Sequence, residues 1–221
     1  KLEDWNYYPL EDYKHSTNSA SVQDLLANFG LRYNIIEGLT AGAKYQFERQ
    51  TVKTDILNTK ESYYTRDLIN NFTQIDPLTE AVAHKVPKGD ILDLTNNVMQ
   101  SYNFRGQLNY NHRFADHDVS ILTGAEIREI KNNINTYRTY GLDRDILTSV
   151  PVDFANTYPQ YTTGVNSFIP NTANFESTKI RYASFFSNFS YTYKSRYVLS
   201  GSVRRDASNT FGVATNDKWT P

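Results

Sequence analysis

Cysteine is absent from the 221 residues. That removes disulfide frameworks, thiolate zinc sites and cysteine nucleophiles together. An excess of charge is missing as well: 23 Lys and Arg stand against 24 Asp and Glu, for a formal net charge of −1. Such a balance lacks the electrostatic footprint of a nucleic-acid partner. No run of 18 apolar residues occurs, which excludes a transmembrane helix. It does not exclude a membrane β-barrel, whose strands need only alternating apolar positions. The chain starts at Lys1 rather than Met and stops at Pro221, directly after Lys218-Trp219-Thr220. It reads as an internal piece of a longer protein, so the absence of a targeting segment in it carries no meaning. Aromatic residues are abundant: 17 Tyr, 12 Phe and 2 Trp make 14% of the chain, a composition that favours strands.

Six segments alternate with period 2. In residues 25–35 the odd positions are Leu25, Ala27, Phe29, Leu31, Tyr33 and Ile35, with Asn28, Gly30, Arg32 and Asn34 between them. Residues 39–51 put Leu39, Ala41, Ala43, Tyr45 and Phe47 on one face and Lys44, Gln46 and Glu48 on the other. Residues 101–114 carry Tyr102, Phe104, Leu108, Tyr110, His112 and Phe114 opposite Asn103, Arg105, Gln107, Asn109, Asn111 and Arg113. In 119–131 Val119, Ile121, Ala125 and Ile127 oppose Ser120, Glu126 and Arg128. The last two are 180–193, with Ala183, Phe185, Phe189, Tyr191 and Tyr193 on one face, and 197–206. Strict alternation means strands with one apolar and one wet face. Four of them run about 13 residues, against about 5–6 for soluble strands and roughly 9–11 for the hydrocarbon crossing of a tilted membrane strand.

The connections alternate between short and long. Turns at 36–38, 115–118 and 194–196 are tight, whereas 52–101 and 132–179 are long. Short periplasmic turns and long external loops are the rhythm of an up-and-down membrane barrel, and a soluble domain has little use for two such loops. Tyr33, Phe114, Tyr191, Tyr193 and Tyr197 lie near the short turns and suit a periplasmic aromatic girdle; Tyr45, Phe47, Tyr102, Phe104 and Tyr182 suit the other rim. In the first long loop, Thr65 is expected to cap a short helix over 66–72, with Leu68, Ile69 and Phe72 on one face and Asp76-Pro77 as its stop. The second, with Pro151, Pro159 and Pro170, is expected to be ordered but irregular.

The fold class is therefore all-β: an antiparallel up-and-down transmembrane β-barrel segment with long extracellular loops. Six strands are too few to close, since about eight is the usual minimum, and open edges in lipid leave backbone groups unpaired. The chain is read as part of one barrel domain. Residues 1–24 form an external lead-in, 25–51 a hairpin, 52–101 an external loop, 102–131 a hairpin, 132–179 an external loop, 180–206 a hairpin, and 207–221 a loop and the start of the next strand.

No reaction chemistry is assembled. His15, His84, His112 and His117 are scattered without metal-ligand spacing; His112 suits a membrane interface and His117 a solvated turn. Alternation places Glu126 and Glu129 on opposite faces, so they are no carboxylate pair. Asp143 and Asp145 lack the spacing of a calcium loop. Neither a nucleophile elbow nor a phosphate-binding loop is present. No catalytic residue, metal or cofactor is expected. The candidate site is the lumen-facing set Lys44, Gln46, Glu48, Asn103, Arg105, Gln107, Asn109, Glu126 and Arg128, which line water, meet a plug or contact substrate. Loop aromatics Tyr137, Tyr140, Tyr158, Tyr161 and Phe168 are available to bind substrate, to dock a lid, or to form a core of their own.

The stretch Tyr193-Lys194-Ser195-Arg196-Tyr197-Val198-Leu199-Ser200-Gly201-Ser202-Val203-Arg204-Arg205-Asp206-Ala207-Ser208-Asn209-Thr210-Phe211-Gly212, followed by Asn216-Asp217-Lys218-Trp219-Thr220-Pro221, resembles the SusC/RagA-like TonB-linked outer-membrane proteins of the Bacteroidetes. Those carry Arg-Asp-Gly-Ser-Ser-Arg-Phe-Gly at the corresponding strand end; Ala207 and Thr210 depart from that pattern. Residues 63–74 are similar to the family's first-loop helix. The resemblance implies a barrel of roughly 22 strands around an N-terminal plug. It also implies TonB-powered import of glycans, oligosaccharides or peptides, and a SusD-like surface lipoprotein as lid. The partners implied are the rest of the barrel, the plug, that lipoprotein, the TonB complex through the plug region, the substrate and the lipid bilayer, in the bacterial outer membrane. Two other classes compete: a non-transporting structural outer-membrane barrel and a soluble all-β carbohydrate-binding module. The module accounts for the aromatics but not for the strand lengths.

Overall fold

The computed structural model describes residues 1–210 and 217–220. In chain order the elements are α1 (Pro9–Asp12), β1 (Ser16–Ile36), β2 (Leu39–Asn58), α2 (Tyr63–Asn71), β3 (Thr73–Ile75), β4 (Val82–His84), β5 (Asp90–Phe114), β6 (His117–Leu142), β7 (Thr157–Pro159), β8 (Asn166–Phe168), β9 (Asn174–Tyr193), β10 (Tyr197–Ser208) and β11 (Asp217–Thr220). Seven strands form one sheet in the order β1-β2-β5-β6-β9-β10-β11, and β3-β4 and β7-β8 are separate hairpins. In the sheet, β10 runs antiparallel to both β9 and β11, with Tyr197 opposite Tyr193 and Arg205 opposite Trp219. The motif residues Phe211, Gly212, Asn216 and Pro221 lie outside the described residues.

The six alternating segments are strands, but each runs further than alternation alone reaches. Strand β2 continues to Asn58, β5 begins at Asp90, β6 extends to Leu142 and β9 begins at Asn174. The links expected over 52–101 and 132–179 are therefore shorter, over residues 59–89 and 143–173. The reason is local. Beyond the two-faced region neither side of the strand is uniformly apolar, as at Asn96-Asn97 and Asn132-Asn133, yet the backbone ladder needs no side-chain pattern to continue. The lead-in expected over 1–24 likewise contains the first turns of β1.

The chain divides into two compact units: residues 1–22, 52–97 and 134–176, and residues 23–51, 98–133 and 177–221. The second unit is the two-faced wall. Leu25, Phe29, Leu31 and Tyr33 are exposed, Leu31 by 80%, as expected of a face whose solvent is lipid rather than water. Two-residue turns join β1 to β2 and β5 to β6, and a three-residue turn joins β9 to β10. Gly38 has φ +82° and its added Cβ would run into the Asn111 carbonyl, so that turn needs glycine on two counts. Asn111 donates to the Gly38 carbonyl at 2.8 Å. Near the turns, rings stack in series from Tyr110 to His112 (5.9 Å), Phe114 (5.9 Å) and His117 (4.8 Å). His117 then meets Tyr193 at 5.0 Å, and its Nδ1 bonds the Tyr191 hydroxyl at 2.5 Å. His117 is thus not in a solvated turn: β6 starts two residues earlier than expected and carries it into the ring stack. Phe47 and Tyr102 pair at 5.3 Å near the long-loop end. Tyr182 does not join them. It sits opposite Ser208 and alternates with Ser184 and Phe186 on the polar face.

The first unit has its own small core of Ile69, Phe72, Val86, Ile91, Tyr140 and Ile169, with Leu68, Val152, Phe154 and Tyr158 against it. Helix α2 spans Tyr63–Asn71 and its N-cap is Ser62, whose Oγ accepts from the Thr65 amide at 3.2 Å. The expected cap, Thr65, is instead buried, its hydroxyl 3.0 Å from Ser62 and 3.3 Å from the Asn58 carbonyl. Asp76-Pro77 does not stop the helix, because β3 intervenes; Asp76 caps the next turn, accepting from the Leu78 and Thr79 amides at 2.8 Å. Residues 1–6 are bound along α2. The Asn70 side chain pairs with both backbone groups of Glu3, at 2.8 and 2.9 Å, Trp5 Nε1 donates to Asp67 at 2.9 Å, and Arg66 donates to the carbonyls of Asp4 and Asn6.

Candidate functional site

The polar face of the wall is built by the pleat: alternate residues of adjacent strands must share a side. Arg105 sits centrally. Its guanidinium lies 4.5 Å from the Phe186 ring centre, and Nη1 lies 3.9 Å from the Glu126 carboxylate. Phe186 reaches it because β6 has no side chain at Gly124, where a Cβ would meet the Phe186 ring at 2.5 Å and the Gly106 carbonyl at 2.6 Å. Around Arg105 are two shallow concavities. One, of about 420 Å³, is lined by Gly42, Lys44, Gln107, Asn109 and Asn111. The other, of about 490 Å³, is lined by Glu126, Phe186, Asn188 and Arg204. Gln46 and Asn103 line a third with Lys44, and Arg128 lies with Glu126, Ser184 and Arg204. Glu48 continues the same β2 face, half-buried. The structure therefore brings Lys44, Gln46, Asn103, Arg105, Gln107, Asn109, Glu126 and Arg128 to one surface.

Two atoms of this surface are unsatisfied. Asn103 Oδ1 and Arg105 Nε are buried and have no hydrogen-bond partner among the described residues. A buried polar atom without a partner costs about 1–3 kcal/mol, so this face fits a further polar surface or ordered water. It offers donors, acceptors and an aromatic platform, which is binding chemistry; among the described residues no nucleophile stands beside a base on it. Phe186, Asn188, Arg204 and Asp206 belong to the surface and were missed in the sequence. The signal was there in the even positions of β9, but the adjacent phenylalanines at 185 and 186 obscured which of them faces lipid.

The aromatic residues of the first unit divide. Tyr140 is 2% exposed and donates to the Pro170 carbonyl at 2.7 Å, so it belongs to the core rather than to a ligand. Burial raises its phenol pKa. Tyr158 packs on that core and donates to Asp153 at 2.6 Å, which holds the Asp153 carboxylate low and the phenol high. Tyr137, Tyr161 and Phe168 are exposed; Tyr137 stands edge-on to Phe175 at 5.4 Å and Tyr161 lies 5.8 Å from Trp5. Arg138 makes a two-pronged bond to Asp93 at 2.7 and 2.5 Å, and Thr172 adds a third at 2.9 Å. Asp93 pushes the Arg138 pKa above its ordinary value. Asp143 caps its own turn, accepting from the Asp145 amide at 2.9 Å.

An all-β antiparallel sheet of long strands, apolar on one face and polar on the other, has the form of a stretch of β-barrel wall. The relatives agree. Over 114 residues, half of this chain, the sequence is 30% identical to the TonB-dependent receptor P39 of Formosa agariphila, the match covering 10% of that protein. The fold matches the RagAB peptide transporter with a TM-score of 0.68 at 19% identity, over 93% of this chain and 20% of that one. It also matches the RagAB peptide importer in its closed-closed state, with a TM-score of 0.66 at 18% identity over 93% and 20% of the two chains. No family model matches. The chain thus spans about a tenth of the curated relative and a fifth of the solved ones. The resemblance to SusC/RagA-like TonB-linked outer-membrane proteins is borne out, and with it a place in the bacterial outer membrane. These relatives are a receptor and a transporter.

Proposed function

We propose that the chain is wall and external loop of a TonB-dependent outer-membrane importer whose cargo is an oligomer, peptide or glycan, too large for passive pores. The observation that carries this is the division of one sheet into two solvents: an exposed apolar face around Phe29 and Leu31, and a polar face around Arg105 with buried atoms still lacking partners. A water-soluble module does not tolerate the apolar face, and buried polar atoms without partners on the other face call for a further polar surface inside the barrel. In this reading the missing partner of Asn103 and Arg105 is a plug inside a closed barrel of about 22 strands. Exposed Tyr137, Tyr161 and Phe168 meet the cargo or a SusD-like lipoprotein lid.

The test is deletion of the complete gene from its native host, with growth followed on defined oligopeptides and oligosaccharides in turn. Loss of growth on one class, restored by the intact gene, supports the proposal and names the cargo. Normal import of every oligomer without the gene overturns it. Co-purification of a surface lipoprotein with the full-length protein in detergent supports the lid; a homogeneous preparation without one removes it.

A further inference from the structure

The lipid-facing side of the wall is not smooth. Near the long-loop end it holds a groove of about 620 Å³ walled by Tyr45, Phe104 and Ile127 and floored by Ala183 and Ala207. The two alanines are direct cross-strand partners on β9 and β10. A pair of methyl groups therefore sits where neighbouring positions carry rings, and the dent follows from sequence. One end of the groove is charged. Glu129 accepts Lys179 Nζ on one oxygen at 2.9 Å and Arg181 Nε on the other at 2.7 Å. Two cations thus share one carboxylate, leaving one positive charge. Arg181 bonds Glu129 through Nε, and its two terminal nitrogens form no hydrogen bond among the described residues. The cluster is held in place from behind. Asn209 accepts from the Arg181 amide at 2.9 Å and donates from its side chain to the Lys179 carbonyl at 2.9 Å.

We propose that this groove is a lipid-binding site, taking an acyl chain against Ala183 and Ala207 and the phosphate headgroup of the same lipid on Arg181 and Lys179. The inference rests on the reading of this face as membrane-facing and extends it to a specific, charge-selected lipid. Charge complementarity selects the occupant. An apolar trough alone accepts any lipid tail, whereas a net positive end with an unbonded guanidinium edge matches a phosphate, which arginine grips with two parallel bonds. A protein partner is a poor fit, because the groove opens from the face that alternation turns toward hydrocarbon.

The test uses the full-length protein purified in detergent and native mass spectrometry with two probes of equal chains, dioleoyl phosphatidic acid and dioleoylglycerol. The expected result is at least tenfold tighter retention of phosphatidic acid. The paired substitution Lys179→Gln with Arg181→Gln is expected to lower that retention about tenfold or more, since each cation near an anionic lipid contributes on the order of a severalfold gain. Ala183→Leu, which fills the floor, is expected to weaken both lipids. Equal retention of the two probes overturns the proposal, as does unchanged retention in the paired variant or displacement of phosphatidic acid by millimolar inorganic phosphate. If Ala183→Leu does not fold, the paired surface variant still decides. A protein that discriminates the lipids but imports nothing overturns the importer and leaves this site standing. An importer that does not discriminate them does the reverse.

Discussion

Replacing Asp93 with alanine is the sharpest probe of the first unit. Arg138 and Asp93 are both largely buried, with side chains 8% and 14% exposed. The substitution orphans two guanidinium donors and the Thr172 hydroxyl. Breaking a buried pair on one side costs about 3–5 kcal/mol. The Tyr64 hydroxyl still accepts from Arg138 at 2.9 Å, and the Tyr140 ring remains 5.8 Å away, which points to the low end, about 3 kcal/mol, or roughly a 150-fold change in local opening. The assay is amide exchange in the full-length protein, read on peptides holding the Asp143–Thr148 bridge and the Val150 amide, which donates to the Tyr140 carbonyl at 3.2 Å. Because the Arg138 pKa is raised, its contribution is present at every pH below the unfolded guanidinium value and is lost only above it. The acceleration is therefore expected to be the same at pH 6 and pH 9 after correction for intrinsic exchange. Adding Arg138→Ala is expected to cost less than the sum of the single changes by about 2 kcal/mol. Exchange within twofold of the parent, or additive single changes, would refute the account of this pair.

Ser62→Ala removes the α2 cap and is expected to destabilise the helix by about 1 kcal/mol, seen as faster exchange over residues 63–71 with wall peptides unchanged. Thr73 commits its hydroxyl proton to the Ile69 carbonyl, so His84 Nδ1 carries the proton that Thr73 Oγ accepts at 2.7 Å. Burial, then the Lys88 charge, lowers the His84 pKa. Stability is thus full above about pH 6.5, the unfolded value, and declines as pH falls through the lowered folded value. His84→Asn is expected to flatten that pH dependence in exchange of residues 73–85. Gly124→Ala drives a methyl into the Gly106 carbonyl and the Phe186 ring. Because one of these neighbours is backbone, the folded, heat-modifiable form on gels is expected to drop sharply, and Phe186→Ala in the same chain does not restore it.

The wall was legible because lipid on one side and polar surroundings on the other impose a two-residue period, as along Tyr102 to Phe114. The strand ends were not. Past Asn132 and before Val98 both faces are mixed, and the ladder continues on backbone bonds that leave no mark in the sequence. The α2 cap was misread by one turn because Ser62 and Thr65 both suit the position, and only burial of Thr65 decides between them. Tyr140 and Tyr161 carry the same side chain, and the sequence does not tell that one closes a core and the other faces solvent. The grouping of Glu129, Lys179 and Arg181 depends on the pairing of β6 with β9. It was invisible until the two strands were neighbours.

The ring series from Tyr110 through His112, Phe114 and His117 to Tyr193 works as a waterline. Each ring wants its flat body in hydrocarbon and its polar edge among headgroups, and five linked rings cannot change depth one at a time. That end of the wall is pinned at the interface. A bilayer that thickens or thins by a few ångströms must then be accommodated at the opposite rim, where Tyr102 and Phe47 form a ring pair among the described residues. In the proposed importer, membrane composition therefore reaches this protein through the long-loop end of the wall.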